Sequence, residues 1–443
     1  MSSYGGVAIE TGQIAAKRKS AISGAFFTEF VDMFDIYLPT IILTPALDYF
    51  EPSKLPAGLE GILTSLVFIT TLLGRPLGAM IFGAIGDKIG RRKTTIYSVS
   101  GFALVTLILA LIPGYSSIGI ASYWLLVILR FLDGVCLGGG YTGSHPLALE
   151  YSEKSRRGFV GAFILAAFPL AYILINLLGM VSFSIFPAGS AASPYEVWGW
   201  RIPFVIGAIL AVWLVTYYVR SVPESEIWET SKQAKKTPLM SMFKGQNGRN
   251  FLQVFTMMTG FWLTQNIVTL FLPSTVLKTF LGMKGFPLTL TLLIAYAVLF
   301  FSYLASGVIG QRIGRRKFFV IMGPIVSVVG TALLYWILNA KGAPLILMIV
   351  LVSVFAAIVT SPWGVIVTYI NERFATGVRA SGFALGFSVS VIIPSFYAFF
   401  MDWLGAAMPY RLTGLVLLFI GGLIGTIGAA AGPETKDVDF TNE

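Results

Sequence analysis

A single cysteine, Cys136, removes any disulfide framework from this 443-residue chain, and a single histidine, His145, removes a histidine-built metal site. Charge is scarce too. Only 12% of the residues are Asp, Glu, Lys or Arg while 56% are hydrophobic, and a mean hydropathy of +0.80 lies far outside the soluble range. No cofactor loop, metal cluster or nucleophile elbow is present, so an enzyme has no support in the sequence. No cofactor is expected beyond a coupling proton. The opening MSSYGGVAIETGQIAAKRKS lacks the apolar core and cleavage site of a secretory signal and reads as a mobile tail over 1–20.

What is abundant is apolar length. Runs of about 20 residues suit helices across a ~30 Å hydrocarbon core and are too long for barrel strands. Twelve spans are predicted, at 21–47, 59–85, 94–114, 121–148, 158–186, 199–220, 250–277, 287–310, 317–339, 343–370, 377–402 and 409–431. The one long polar link, 221–249, separates six-helix bundles at 21–220 and 250–431, with a second tail at 432–443. On that reading 23 of the 31 Lys and Arg fall at one end, which the positive-inside rule makes cytoplasmic together with both termini. The net charge of +10 therefore reports topology in a cell-membrane protein and gives no support to nucleic-acid binding.

The halves carry matching punctuation. GAIGDKIGRRK at Gly83–Lys93 is echoed by GVIGQRIGRRK at Gly307–Lys317, Glu150 and Arg157 by Glu372 and Arg379, Arg201 by Arg411, and Pro223-Glu224-Ser225 by Pro433-Glu434-Thr435. Four paired marks in one order imply a duplicated six-helix unit. These motifs resemble the major facilitator superfamily, and GRPLGAMIFGAIGDKIGRRKT, RFLDGVCLGGG, RRGFVGAF and WGWRIPF resemble its metabolite:proton symporters. TEFVDMFDIY is similar to the start of that group and, in its D-x-F-D spacing, to the aromatic-acid:proton symporters. Asp133 and Gly140 depart from the group, which often has Gln and Glu there. The resemblance implies an all-α membrane protein with two pseudo-symmetric bundles. It also implies a conformational gate at Gly83, Asp87, Gly90, Arg91 and Arg92 with Glu150 and Arg157, weaker in the second copy, where Gln311 lacks the charge. The arginines of the loop are expected to face anionic lipid and helix ends.

Buried charge points to chemistry, because an ionised residue at mid-span costs about 2.5–3.5 kcal/mol on insertion scales. Span one holds Glu29, Asp32 and Asp35, span two Arg75, and span four Arg130 and Asp133, while spans seven to eleven have almost none away from their ends. Proton coupling is therefore assigned to the first half, with Asp35 first and Asp32 second, across from Arg130. A movable guanidinium can switch the proton affinity of a carboxylate. In sugar-porter relatives an Asp and an Arg at the positions of Asp35 and Arg130 act in this way. The plainer alternative is a static Arg130–Asp133 pair. Glu29, also assigned to proton coupling, is read more readily as a solvated or structural acid, and His145 as a packed polar residue at a span end.

Arg75, between Gly74 and Pro76, could clamp a substrate carboxylate or merely neutralise Asp32. Tyr37, Gln265, Asn266, Tyr303 and Trp363 are the neutral substrate-contact candidates, with Tyr296 and Ser361 beside them. Together these readings give a monomeric proton-coupled symporter of a small polar metabolite, an organic anion, working by alternating access. A drug antiporter is disfavoured because span five lacks the glycine-rich stretch before Gly-Pro. A sugar facilitator and a non-transporting nutrient sensor are the alternatives.

Overall fold

Helices are the only element these apolar runs can form inside lipid, because each span must satisfy its own backbone donors and acceptors. The computed structural model describes residues 3–52, 57–189, 192–230 and 242–440. Among them are twelve helices long and apolar enough to cross a membrane. They are α1 Gly12–Tyr49, α2 Ile69–Ile89, α3 Arg91–Ala110, α4 Ala121–Glu150, α5 Lys154–Ile185, α6 Tyr195–Ser221, α7 Gly245–Phe280, α8 Phe286–Ile313, α9 Arg315–Leu338, α10 Leu345–Glu372, α11 Thr376–Gly405 and α12 Tyr410–Ala430. Each expected span has its helix. The first helix is already under way at Ser3, inside the stretch read as a tail. Residues 231–241 of the expected link, and Lys54, lie outside the described residues.

The outer surface is apolar, as lipid requires: Trp403 is 78% and Ile346 76% exposed. Inside each half, helices approach closely. A Cβ at Gly78 of α2 would strike the Val135 carbonyl of α4, and one at Gly134 of α4 the Thr71 carbonyl of α2. This contact brings Arg75 and Arg130 into one interior.

Prolines loosen the spans that line the middle. The second part of α1 passes through a π-helical turn at Pro39–Leu43. Its counterpart α7 is π-helical over Ile267–Phe280 around Pro273. Wide turns of this kind free backbone groups and mark functional stretches of helix. A ten-residue segment of α11, Arg379–Ser388, ends in a tight turn at Val389–Val391.

Candidate functional site

Three-residue spacing keeps Glu29, Asp32 and Asp35 on one side of α1. Each meets a different basic group. Asp35 accepts from Thr106 Oγ1 of α3 at 2.8 Å and from Arg130 Nη1 of α4 at 3.3 Å. The same nitrogen donates to Asp133 Oδ2 at 2.7 Å, so two carboxylates converge on one guanidinium. One turn away, Asp32 Oδ2 accepts from Arg75 Nη2 of α2 at 3.1 Å. Glu29 Oε2 lies 3.3 Å from His145 Nε2 of α4. All eight side chains are at most 3% exposed.

Two sequence readings are corrected here. Glu29 is not solvated but buried, and His145 is not merely packed but faces its carboxylate. Nothing in the spacing of residues 29 and 145 foretold the pair.

The Asp32–Arg75 pair adjoins the second half. The Arg75 guanidinium lies 4.8 Å from the ring centre of Tyr141, whose hydroxyl bonds the Ser388 hydroxyl of α11. From Tyr141 an aromatic cluster continues through Phe387 at 5.3 Å to Trp262, which meets Trp363 at 4.5 Å. Further along α1, Tyr37 packs on Phe168 and Tyr172 of α5, and Tyr172 stacks on Tyr296 of α8 at 3.8 Å.

Among the described residues, several buried polar atoms of this middle layer find no hydrogen-bond partner: Asp32 Oδ1, Gln265 Oε1, Tyr296 Oη, Tyr303 Oη and Trp363 Nε1. Unsatisfied groups at such depth are costly and mark places where a solute can bond. Asn266 differs from its neighbour, since its amide donates to the Pro394 carbonyl at 2.9 Å. It ties α7 to α11.

At the end where the basic loops gather, the halves are locked by polar contacts. Asp87 accepts from the Ser381 amide at 3.1 Å and its hydroxyl at 2.5 Å, placing a carboxylate at the start of an α11 segment. Gly83 stands against the Ser381 backbone. Glu150 accepts from Arg379 Nη1 at 2.9 Å and lies 3.7 Å from Arg91. In the mirrored position Gln311 Oε1 accepts from the Gly158 amide at 2.9 Å, and its Nε2 donates to the Lys154 carbonyl at 3.3 Å. The neutral copy thus makes the same kind of contact without the charge. Arg91 corrects another expectation. It is fully buried, donating to the Gly86 and Thr376 carbonyls, and does not face lipid. Arg92 does cap a helix end, donating to the Tyr218 and Val219 carbonyls of α6.

Sequence reasoning missed three parts of this lock. Glu224 accepts from the Arg91 and Arg92 amides and Glu434 from those of Arg315 and Lys317, so each caps the helix that follows a GRRK glycine. Gly90 and Gly314 take φ of 111° and 112° there, a backbone that favours glycine. The repeated Pro-Glu-Ser and Pro-Glu-Thr flagged these acids without showing their purpose. The third part is the last described stretch. Phe440 is buried between the guanidinium groups of Arg157 at 3.6 Å and Arg379 at 3.8 Å, and Arg157 Nη1 donates to the Val438 carbonyl at 2.8 Å.

Comparison with known proteins agrees with this architecture. The family model of the Major Facilitator Superfamily matches residues 25–392. The chain is 26% identical over 411 residues to the inner membrane metabolite transport protein YhjE of Escherichia coli K12, covering 89% of each. It is 27% identical to the alpha-ketoglutarate permease of the same strain, covering 84% of each. With the proline/betaine transporter of Salmonella typhimurium identity is 25%, over 95% of this chain and 84% of the other. The fold is that of the proton:xylose symporter XylE, with a TM-score of 0.72 over 97% of this chain and 98% of that one at 18% identity. The duplicated bundles, the paired GRRK loops and the match along most of its length make this chain a member of the Major Facilitator Superfamily, a membrane transporter and not an enzyme.

Proposed function

We propose that the protein is a proton-coupled symporter of a small polar metabolite carrying a carboxylate. One observation carries this reading: the guanidinium of Arg75 is occupied by Asp32 at 3.1 Å in a site shielded from water. A substrate carboxylate and Asp32 compete for the same donors. Protonating Asp32 releases Arg75, which then clamps the incoming anion in bidentate fashion. Proton and anion enter together because neither is well accommodated alone. Asp35 and Asp133, which share Arg130 Nη1, add a second place where a proton cancels surplus negative charge.

The bundles at 21–220 and 250–431 are the two moving bodies, rocking about this layer as a monomer in the cell membrane. The basic end is cytoplasmic by its charge, and both termini with it. Gln265, Tyr303 and Trp363 supply neutral contacts from the second bundle, and Tyr37 from the first. The alpha-ketoglutarate permease among the relatives supports an anion. A second reading is a zwitterion: the aromatic cluster Phe387, Trp262 and Trp363, which leads from Tyr141, suits a methylated or cyclic ammonium. The proline/betaine relatives support it.

The test uses vesicles holding the purified protein and the pH dye pyranine. Addition of alpha-ketoglutarate, proline or betaine outside should acidify the lumen with the transported solute alone. In Asp35→Asn, accumulation driven by a pH gradient should disappear. Uptake without any proton movement would reject symport, and normal accumulation in Asp35→Asn would remove that residue from coupling.

A further inference from the structure

Three features outside the proposed site invite explanation, namely the Glu29–His145 pair, the Phe440 clasp and the half-buried Cys136. The first carries an inference furthest, because its surroundings join it to both the acid stripe and the gate.

Glu29 continues the stripe of Asp35 and Asp32 by one more turn toward the basic end, at a rise of about 4.5 Å per three residues. Its Oε2 and His145 Nε2 stand 3.3 Å apart, yet neither atom completes a hydrogen bond, and His145 Nδ1 also lacks a partner among the described residues. A histidine fixed for structure alone would have its ring nitrogens satisfied. The groups around the pair are few. Asp32 lies beside Glu29 on α1, Arg75 faces from α2, Tyr141 stands one turn from His145 on α4, and Tyr218 comes from α6, where it bonds Thr28. From the second half Phe383 covers the pair, with its ring centre 5.4 Å from that of His145, and the hydroxyl of Tyr303 of α8, like that of Tyr37 of α1, lies within electrostatic reach of Glu29.

Phe383 belongs to the α11 segment Arg379–Ser388. Arg379 is held by Glu150, Ser381 by Asp87, and Ser388 by Tyr141. One rigid helix therefore carries the gate contacts and the lid over His145. It cannot leave the gate without uncovering the ring.

Resting on the symport reading, we infer that Glu29 and His145 form a further proton-binding site, beyond Asp32 and the Asp35–Asp133 pair, which takes the proton from Asp32 and returns it to water at the basic end when Arg379–Ser388 swings away. The proton leaves the Asp32 carboxyl, rests on the carboxylate–imidazole pair and departs to solvent. No other atom changes hands. Asp32, having given up its proton, regains Arg75 once the substrate has gone.

Because the chain holds one histidine, reagents and spectra specific for imidazole report on His145 alone. The protein, purified through a tag without histidine, is labelled with 15N-histidine and its ring signals are followed from pH 5 to 9. The ring should titrate, and Glu29→Gln should displace the curve. At pH 7, Phe383→Ala should raise the rate of modification by diethyl pyrocarbonate at least tenfold, while Phe383→Leu should leave it within twofold. A ring that keeps one protonation state in both proteins, or a modification rate indifferent to Phe383→Ala, overturns the inference. The vesicle assay separates the two readings. Lumenal acidification with a non-titrating histidine overturns only the present inference, whereas a titrating histidine with no proton movement overturns symport and with it the role given to the pair.

Discussion

Arg75 is held on one side by Asp32 and on the other by the face of Tyr141, so its donors are taken until one of these lets go. Asp32→Asn removes the competitor. Binding of the transported anion, followed by quenching of tryptophan fluorescence, should then lose most of its pH dependence between pH 5 and 8. Gradient-driven accumulation should fall with it. Arg75→Lys keeps the charge but not the fork, and a bidentate hydrogen bond to charge contributes about 1.5–3 kcal/mol. A loss of at least tenfold in affinity is expected. If Lys serves as well as Arg, the substrate meets Arg75 as a point charge and the clamp is wrong.

Helices in this protein touch where small residues let them, and the crossing of α5 with α8 is one such close seam between the halves. A Cβ at Gly307 would strike Ala162 and the Gly158 carbonyl. Gly307→Val should therefore hold the basic end open, at a cost of about 1–3 kcal/mol for the overpacked closed state. The check is maleimide labelling of a cysteine placed at Ala384 in a Cys136→Ser background, which should speed up several-fold. The spans themselves were legible because hydropathy and the paired loops report length and repetition, which are local or periodic properties. The acid stripe was legible for the same reason. Its partners were not: Glu29 meets His145 through the packing of α1 against α4, and a pairing across 116 positions leaves no mark in spacing. Glu224 and Glu434 were visible as repeated letters, yet their work at the amide groups after Gly90 and Gly314 depends on where the chain returns in space.

At the scale of the whole molecule, the basic end is closed by contacts drawn from both halves and from the last described residues. The expectation of a tail over 432–443 did not foresee that Phe440 sits between two arginines, one from each half. Each such cation–π contact contributes about 0.5–2 kcal/mol when desolvated. Ending the chain at Lys436 should shift the balance of closed to open forms by roughly 5–30-fold, the equivalent of one or two kcal/mol. The Ala384 cysteine reports it, and labelling unchanged by the truncation would show that the segment only decorates the closed form.

The uneven distribution of buried charge has a consequence for descent. In the middle layer acids and bases crowd the first bundle, while the second offers amides, phenols and indoles there and keeps its buried Arg315, Glu372 and Arg379 at the basic end, with Gln311 where the first has Asp87. One copy of the ancestral unit is thereby bound to its ionic chemistry, and the other is at liberty to drift in shape. Hybrids that join residues 1–230 of this chain to the second half of a relative should keep the driving ion and inherit a new cargo.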